Sequence, residues 1–239
     1  YNIEEHSNIL CNVDFELMPH QHFVKHFLSY QTPYNSLLLY HGLGTGKTCS
    51  AIGVAEEMRT YLTQVGINQR IMVIASPNVR NNFRLQLFDE DKLKLVSNMW
   101  NLDTCIGPSL LNEINPTQLQ GINREKVISQ INTLIKQYYV FMGYGEFTNY
   151  VKHQINVADT SLSSKEKRII ETNKIRKLFN NRLVIIDEVH NIRIMQENKQ
   201  TKKTANLLMY ISKYAINKLN PNKNCSYNLP LDIDKNNNG

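Results

Sequence analysis

Gly42-Leu43-Gly44-Thr45-Gly46-Lys47-Thr48 decides the fold, and it does so together with Leu183-Val184-Ile185-Ile186-Asp187-Glu188-Val189-His190. The first stretch follows Ser36-Leu37-Leu38-Leu39-Tyr40, an apolar run of strand length, and opens a helical stretch from Lys47 to about Ala55. Strand, glycine-rich turn and helix in that order form a phosphate loop. The glycines let the backbone N–H groups curl toward an anion, and the helix N-terminus adds its partial positive charge. Lys47 would reach the β- and γ-phosphates, and the Thr48 hydroxyl would ligate Mg²⁺.

The second stretch is a continuous apolar run, as a central parallel strand covered on both faces requires. It ends in two acids, where ligands gather in such sheets. Asp187 would hold Mg²⁺, Glu188 would polarise an attacking water, and His190 would couple the site to a neighbouring domain. Asp-Glu after a strand also ends many strands at a surface, so the pairing with the glycine loop carries the reading.

The general phosphate-loop pattern has glycine where this chain has His41, and Gly42 stands one place later. With glycines at 42, 44 and 46 the loop resembles that of superfamily-2 helicases and translocases. The acidic box, Asp187-Glu188-Val189-His190, resembles the DExH box of the same group. The resemblance implies an α/β fold: a RecA-like P-loop NTPase domain with a central parallel β-sheet flanked by helices. It also implies ATP as substrate with Mg²⁺ and a loop site running through His41, Gly42, Leu43, Gly44, Thr45, Gly46, Lys47 and Thr48. Leu17-Met18-Pro19-His20-Gln21 resembles the segment upstream of the loop in Swi/Snf-like members, which implies that Gln21 bonds the adenine edge. Ile71 to Asn78 resembles motif Ia, which implies backbone contacts to nucleic acid from Ser76, Asn78 and Arg80. Gly143-Tyr144-Gly145-Glu146-Phe147 resembles a helicase Ib-type segment weakly and reads equally as a plain turn.

The segments at residues 20–28, 36–48 and 185–191 resemble helicase-like ATPases of large DNA viruses, of the poxvirus nucleoside triphosphatase I and early-transcription-factor type. This implies a role in viral transcription, DNA rather than RNA as the tracked strand, a viral RNA polymerase as a partner, and the virion and host cytoplasm as the setting. The alternative is a nucleotide-binding interaction module of a virion transcription complex without fast turnover of its own. A ring ATPase is disfavoured by His190 and the Gln21 segment.

Composition is compatible with this and does not decide it. The chain has 239 residues, 41% hydrophobic, enough for one sizeable core. A net charge of +6 suits a nucleic-acid partner. Cys11, Cys49, Cys105 and Cys225 are scattered without a C-x-x-C, which reads as free thiols in a reducing compartment, with Cys49 in a packing role. His20, His22 and His26 cluster, but no third and fourth ligand stand at zinc spacing, so they read as pocket-rim or surface histidines. No run reaches membrane-span length, so no membrane partner is expected.

Strands are expected at 36–40, 70–75, 138–142 and 182–187, and helices at 20–30, 47–62, 78–88, 127–138, 164–178 and 201–219. The basic stretch from Lys165 to Arg182 reads as a solvated helix face. Lysine and acidic box lie 140 positions apart (187 − 47), more than a bare core needs, so an insertion is expected near 89–125 within a domain spanning 1–219. Residues 220–239 read as a polar loop or tail. No Ser/Thr-Ala-Thr motif follows the box and no second RecA-like lobe is visible, so the chain reads as one lobe of a longer protein.

Overall fold

The structure, a computed structural model, describes residues 17–42, 44–96, 98–106, 109–116, 121–158, 161–192 and 199–214. Leu43 and the tail expected at 220–239 lie outside them. In chain order the elements are α1 (Pro19–Phe27), α2 (Lys47–Gln64), β1 (Ile71–Ile74), α3 (Pro77–Leu87), β2 (Leu93–Val96) and β3 (Met99–Leu102). They continue with α4 (Ser109–Ile114), α5 (Arg124–Tyr138), β4 (Tyr139–Met142), α6 (Tyr144–Ile155), α7 (Ser164–Phe179), β5 (Val184–Ile186) and α8 (Lys199–Tyr214). Short 3₁₀ turns cover Glu90–Lys92 and Val189–Ile192.

The central sheet runs β4-β1-β5, and both pairings are parallel. Ile71 stands beside Tyr139, and Met72 stands between Val140 and Val184. Successive side chains of a strand point to opposite faces, and both faces of β1 are covered. Ile71 and Val73 enter a core with Ile52, Ala55, Phe83 and Leu87 from α2 and α3. Met72 and Ile74 enter another with Phe147, Val151, Ile175, Phe179, Leu207 and Ile211 from α6, α7 and α8. The uninterrupted apolar run of β1 follows from this double coverage. The chain is therefore mixed α/β with a helix-flanked parallel sheet, as the sequence implied.

Helix starts follow local chemistry. The Ser163 hydroxyl accepts from the Glu166 N–H while the Glu166 carboxylate accepts from the Ser163 N–H, the capping box read from the sequence. Asn123 caps α5 by accepting from Glu125 N.

One expected strand is absent. Residues 36–40 are not paired, and Leu38 and Tyr40 are 72% and 94% exposed. An apolar run has strand propensity, but pairing depends on a neighbouring edge and a surface to bury against. Among the described residues, nothing pairs with the second edge of β5.

Between α3 and α5 the chain forms a small lobe. The antiparallel hairpin β2–β3 and α4 pack Leu93, Leu102, Leu110 and Leu111 against Val127 and Ile131 of α5. The Trp100 indole N–H donates to Ile122 O across 2.8 Å. The lobe meets α2 through a buried polar network. Arg59 donates to both Glu56 oxygens at 2.8–3.1 Å and to Glu113 on α4 at 2.6 Å. Tyr139 of β4 donates its hydroxyl to Glu56. Burial first, then the adjacent Glu56 carboxylate, holds the Tyr139 phenol well above its ordinary range. Glu56→Ala would leave the Arg59 guanidinium and the Tyr139 hydroxyl buried without their shared acceptor. The expected cost is about 3–5 kcal/mol, read as a lowered urea midpoint.

Cys49 and Cys105 are joined by a disulfide with Cα atoms 5.2 Å apart and a sequence separation of 56. This corrects the reading of Cys49 as a simple packing thiol. A pair so far apart in sequence has no local signature. A closed loop of this length contributes about 4 kcal/mol by restricting the unfolded chain. Among the described residues, no helix is long and apolar enough to cross a membrane.

Candidate nucleotide site

The glycine loop adopts the curl its sequence calls for. Gly44 and Gly46 have φ of 76° and 74°, a left-handed region that side chains avoid. Gly46 stands at the N-cap of α2, and Ser50 N donates to its carbonyl at 3.0 Å. Lys47 folds back across the loop, its Nζ donating to Gly42 O at 2.9 Å and His41 O at 3.1 Å. The Thr45 hydroxyl donates to Gly42 O at 3.0 Å. The loop is thus a ring closed on its own lysine, with Thr48 in the first turn of α2.

Helix α1 braces this ring from behind. His20 Nε2 lies 2.8 Å from Thr45 O. Gln21 is buried; its amide N–H donates to Gly46 O at 3.2 Å and its carbonyl accepts from Met18 N at 2.8 Å. The resemblance implied an adenine contact for Gln21, and the structure places its amide on the loop. His41, which stands where the general pattern has glycine, packs its ring edge-on to His20 at 5.7 Å. A Cβ added at Gly46 would come within 2.2 Å of Gln21 Nε2. Gly46→Ala therefore meets both a forbidden φ and a clash. It is expected to cost about 1–2 kcal/mol and to displace Gln21, seen as a lower melting temperature and faster amide exchange at Gly46 and Lys47.

The acidic box sits at the C-terminal end of β5. Asp187 N still donates to Ile74 O at 3.1 Å, so the sheet fixes the first acid. The chain then turns sharply. Glu188 has φ of 52°, rare for a non-glycine residue and favoured here because its N–H returns to Asp187 Oδ1 at 2.9 Å. His190 Nδ1 lies 3.1 Å from Glu188 Oε2, which sets the DEVH histidine against the second acid. Tyr144, at the start of α6, donates its hydroxyl to Asp187 O at 2.7 Å. Sequence reasoning missed this support; the only available signal was the position of Tyr144 just past β4.

Burial raises the Asp187 carboxyl above the usual aspartate range; the hydrogen bond from the Glu188 N–H opposes this, the Glu188 charge adds to it, and the Lys47 ammonium opposes it. Lysine and aspartate, 140 positions apart in sequence, thus act on each other electrostatically. A hydroxyl and a carboxylate, from Thr48 and Asp187, are the hard oxygen donors that Mg²⁺ takes.

The third group lies on the neighbouring strand end. Ser76 precedes α3, and Arg80 N donates to its carbonyl at 2.9 Å. Asn78 is exposed in the first turn. Arg80 is half-buried and donates to Glu146 of α6 at 3.3 Å, a pairing the sequence did not suggest. Ser76, Asn78 and Arg80 therefore stand at the same sheet end as Asp187, with Arg80 already engaged. Of the basic stretch on α7, Arg168 and Arg176 donate to the Tyr214 hydroxyl and carbonyl of α8, each at 3.3 Å.

The chain is similar to a "Putative ATP-dependent RNA helicase" of Acanthamoeba polyphaga mimivirus, 26% identical over 179 residues, covering 74% of this chain and 25% of that protein. It is similar to a "Putative helicase" of invertebrate iridescent virus 3, 27% identical over 198 residues, covering 77% and 16%. A "Putative helicase" of frog virus 3 is 26% identical over 178 residues, covering 74% and 15%. The chain spans a quarter or less of the length of these relatives. No family model matches it. No solved structure matches it. With a helix-flanked parallel sheet consistent with a RecA-like domain, the chain is similar to proteins named as helicases in three large DNA viruses.

Proposed function

We propose that this chain is the ATP-binding and hydrolysing lobe of a nucleic-acid-dependent helicase or translocase. The observation that carries the proposal is the left-handed glycine ring at the N-terminus of α2, closed by Lys47 and standing with the acidic turn after β5 on one domain. The ring of residues 42–47 would bind the β- and γ-phosphates through its N–H groups. Lys47 would exchange its carbonyl partners for phosphate oxygens. When bound through Thr48 and Asp187, Mg²⁺ supplies further neutralisation of the phosphate charge. Glu188, held by His190, would orient a water in line with the γ-phosphorus. Water oxygen bonds to phosphorus, the bridging P–O bond breaks, and ADP and phosphate leave. A finger arginine from a second RecA-like lobe would complete the charge stabilisation.

Nucleic acid would cross the sheet end near Ser76 and Asn78. The helicase names of the relatives and the +6 charge support a polyanionic partner. A place in viral transcription, beside an RNA polymerase, remains part of the proposal and rests on the resemblance alone. The test is steady-state ATPase of the longer polypeptide with no nucleic acid, with duplex DNA and with duplex RNA. Stimulation by either supports the proposal, and DNA is the expected stimulant. Mg²⁺-dependent ATP binding with no hydrolysis under any condition would instead favour an interaction module that holds nucleotide as a structural ligand.

A further inference from the structure

We propose that Cys49 and Cys105 form a reversible thiol–disulfide site that sets the freedom of the phosphate loop, a proposal that rests on the nucleotide reading above. Cys49 immediately follows Thr48 in the first turn of α2. Cys105 lies between β3 and α4, buried against Ile71, Val73, Phe83 and Leu87. Their Cα separation of 5.2 Å fits a disulfide without backbone movement. Gln86 supplies the sign of a second state. Its Oε1 lies 3.1 Å from Cys105 Sγ and 3.8 Å from Cys49 Sγ. An amide oxygen can accept from a thiol but not from a disulfide sulfur, so the pocket also solvates the reduced pair.

The two ends of the bond are not equivalent. Cys105 N donates to Gln86 O at 3.3 Å, and the Thr104 hydroxyl donates to Leu87 O at 3.3 Å. Cys105 thus stays strapped to the end of α3 whatever the state of its sulfur. Among the described residues, no comparable strap holds the turn carrying Lys47 and Thr48 on that side. Opening the bond releases the phosphate end of α2, and closing it pins Lys47 and Thr48 near their present places.

Cys49 is half-buried and Cys105 fully buried, which gives the order of events. Cys49, in the first turn of α2, attacks as its thiolate one sulfur of a small-molecule disulfide R–S–S–R. The S–S bond breaks and one R–S⁻ leaves, taking up a proton. Cys105 then loses its proton and attacks Cys49 Sγ, expelling the second thiol. Two protein thiols give up two electrons, and R–S–S–R becomes two R–SH. Excess thiol runs the exchange backward.

The experiment equilibrates the chain with oxidised or reduced glutathione. Alkylation and peptide mass give the state of Cys49 and Cys105. Amide exchange over residues 44–50 is read without nucleotide, and Mg·ATP affinity is read separately. The expected result is a bond that forms and reverses. The reduced chain should show faster exchange and Mg·ATP affinity about tenfold tighter, a usual size for coupling between sites. Cys105→Ser should behave as reduced in both buffers, which also separates this pair from Cys11 and Cys225. The proposal is overturned if the two thiols stay alkylatable in oxidised glutathione. It is equally overturned if neither exchange nor affinity responds to the bond, or if Cys105→Ser still responds. If exchange responds but neither state binds ATP, the redox site stands and the nucleotide reading falls.

Discussion

Separated from a second RecA-like lobe, this chain is expected to hydrolyse ATP about 10³–10⁵ times more slowly than the polypeptide that carries both lobes, the usual worth of a finger arginine. The physical reason is the charge balance at the sheet end. The described cation that acts on Asp187 is Lys47. Two arginines packed against the sheet are already engaged, Arg80 with Glu146 and Arg59 with Glu56 and Glu113. Neither can supply the charge that develops on the transferring phosphoryl group without breaking an ion pair. Mg·ATP binding should persist, because the ring and its lysine are complete within residues 41–48. Single-turnover hydrolysis of the two forms side by side measures the ratio. Equal rates would mean that the chain contains its own finger, or that the site is not of this class.

Lys47→Ala is expected to lower turnover of the two-lobed protein by at least about 10²-fold, as for loss of one preorganised transition-state donor. Glu188→Gln should lose about 10²–10⁴-fold, the contribution of a positioned general base, while ATP still binds. The folded-state consequences of the two substitutions separate catalysis from stability. Among the described residues, the Lys47 ammonium bonds main-chain oxygens of a loop that is partly open to water. Its removal therefore leaves acceptors that water can satisfy, and the melting temperature should hold. Glu188 is partly exposed and pairs with His190, so the glutamine keeps an acceptor for Nδ1. Circular-dichroism melts alongside kcat and KM check both statements. Turnover unchanged in both variants would remove the catalytic assignment.

The sequence made β1, β4 and β5 legible because each is an apolar run that must be covered on two faces. The helices followed from caps and from apolar spacing at three and four. The glycine ring followed because only glycine takes the φ values at 44 and 46 without strain. What stayed hidden was whatever depends on partners distant in the chain. The run at 36–40 has strand propensity, and no residue pattern could say that it lacks a pairing edge. Cys49 and Cys105 are ordinary cysteines until α2 and the small lobe meet. Glu56 and Arg59 look like a surface i, i+3 pair, and they become a buried network only when Tyr139 and Glu113 close over them.

The central claim is that Lys47 and Asp187 act on one triphosphate. A double-mutant cycle on Mg·ATP affinity tests it most directly, with wild type, Lys47→Ala, Asp187→Asn and the double variant, each with Mg²⁺ and with chelator. The account predicts that both single variants weaken Mg²⁺-dependent binding and that their effects are non-additive by about 0.5–3 kcal/mol. Additive effects, or binding indifferent to Asp187 and to Mg²⁺, would contradict it.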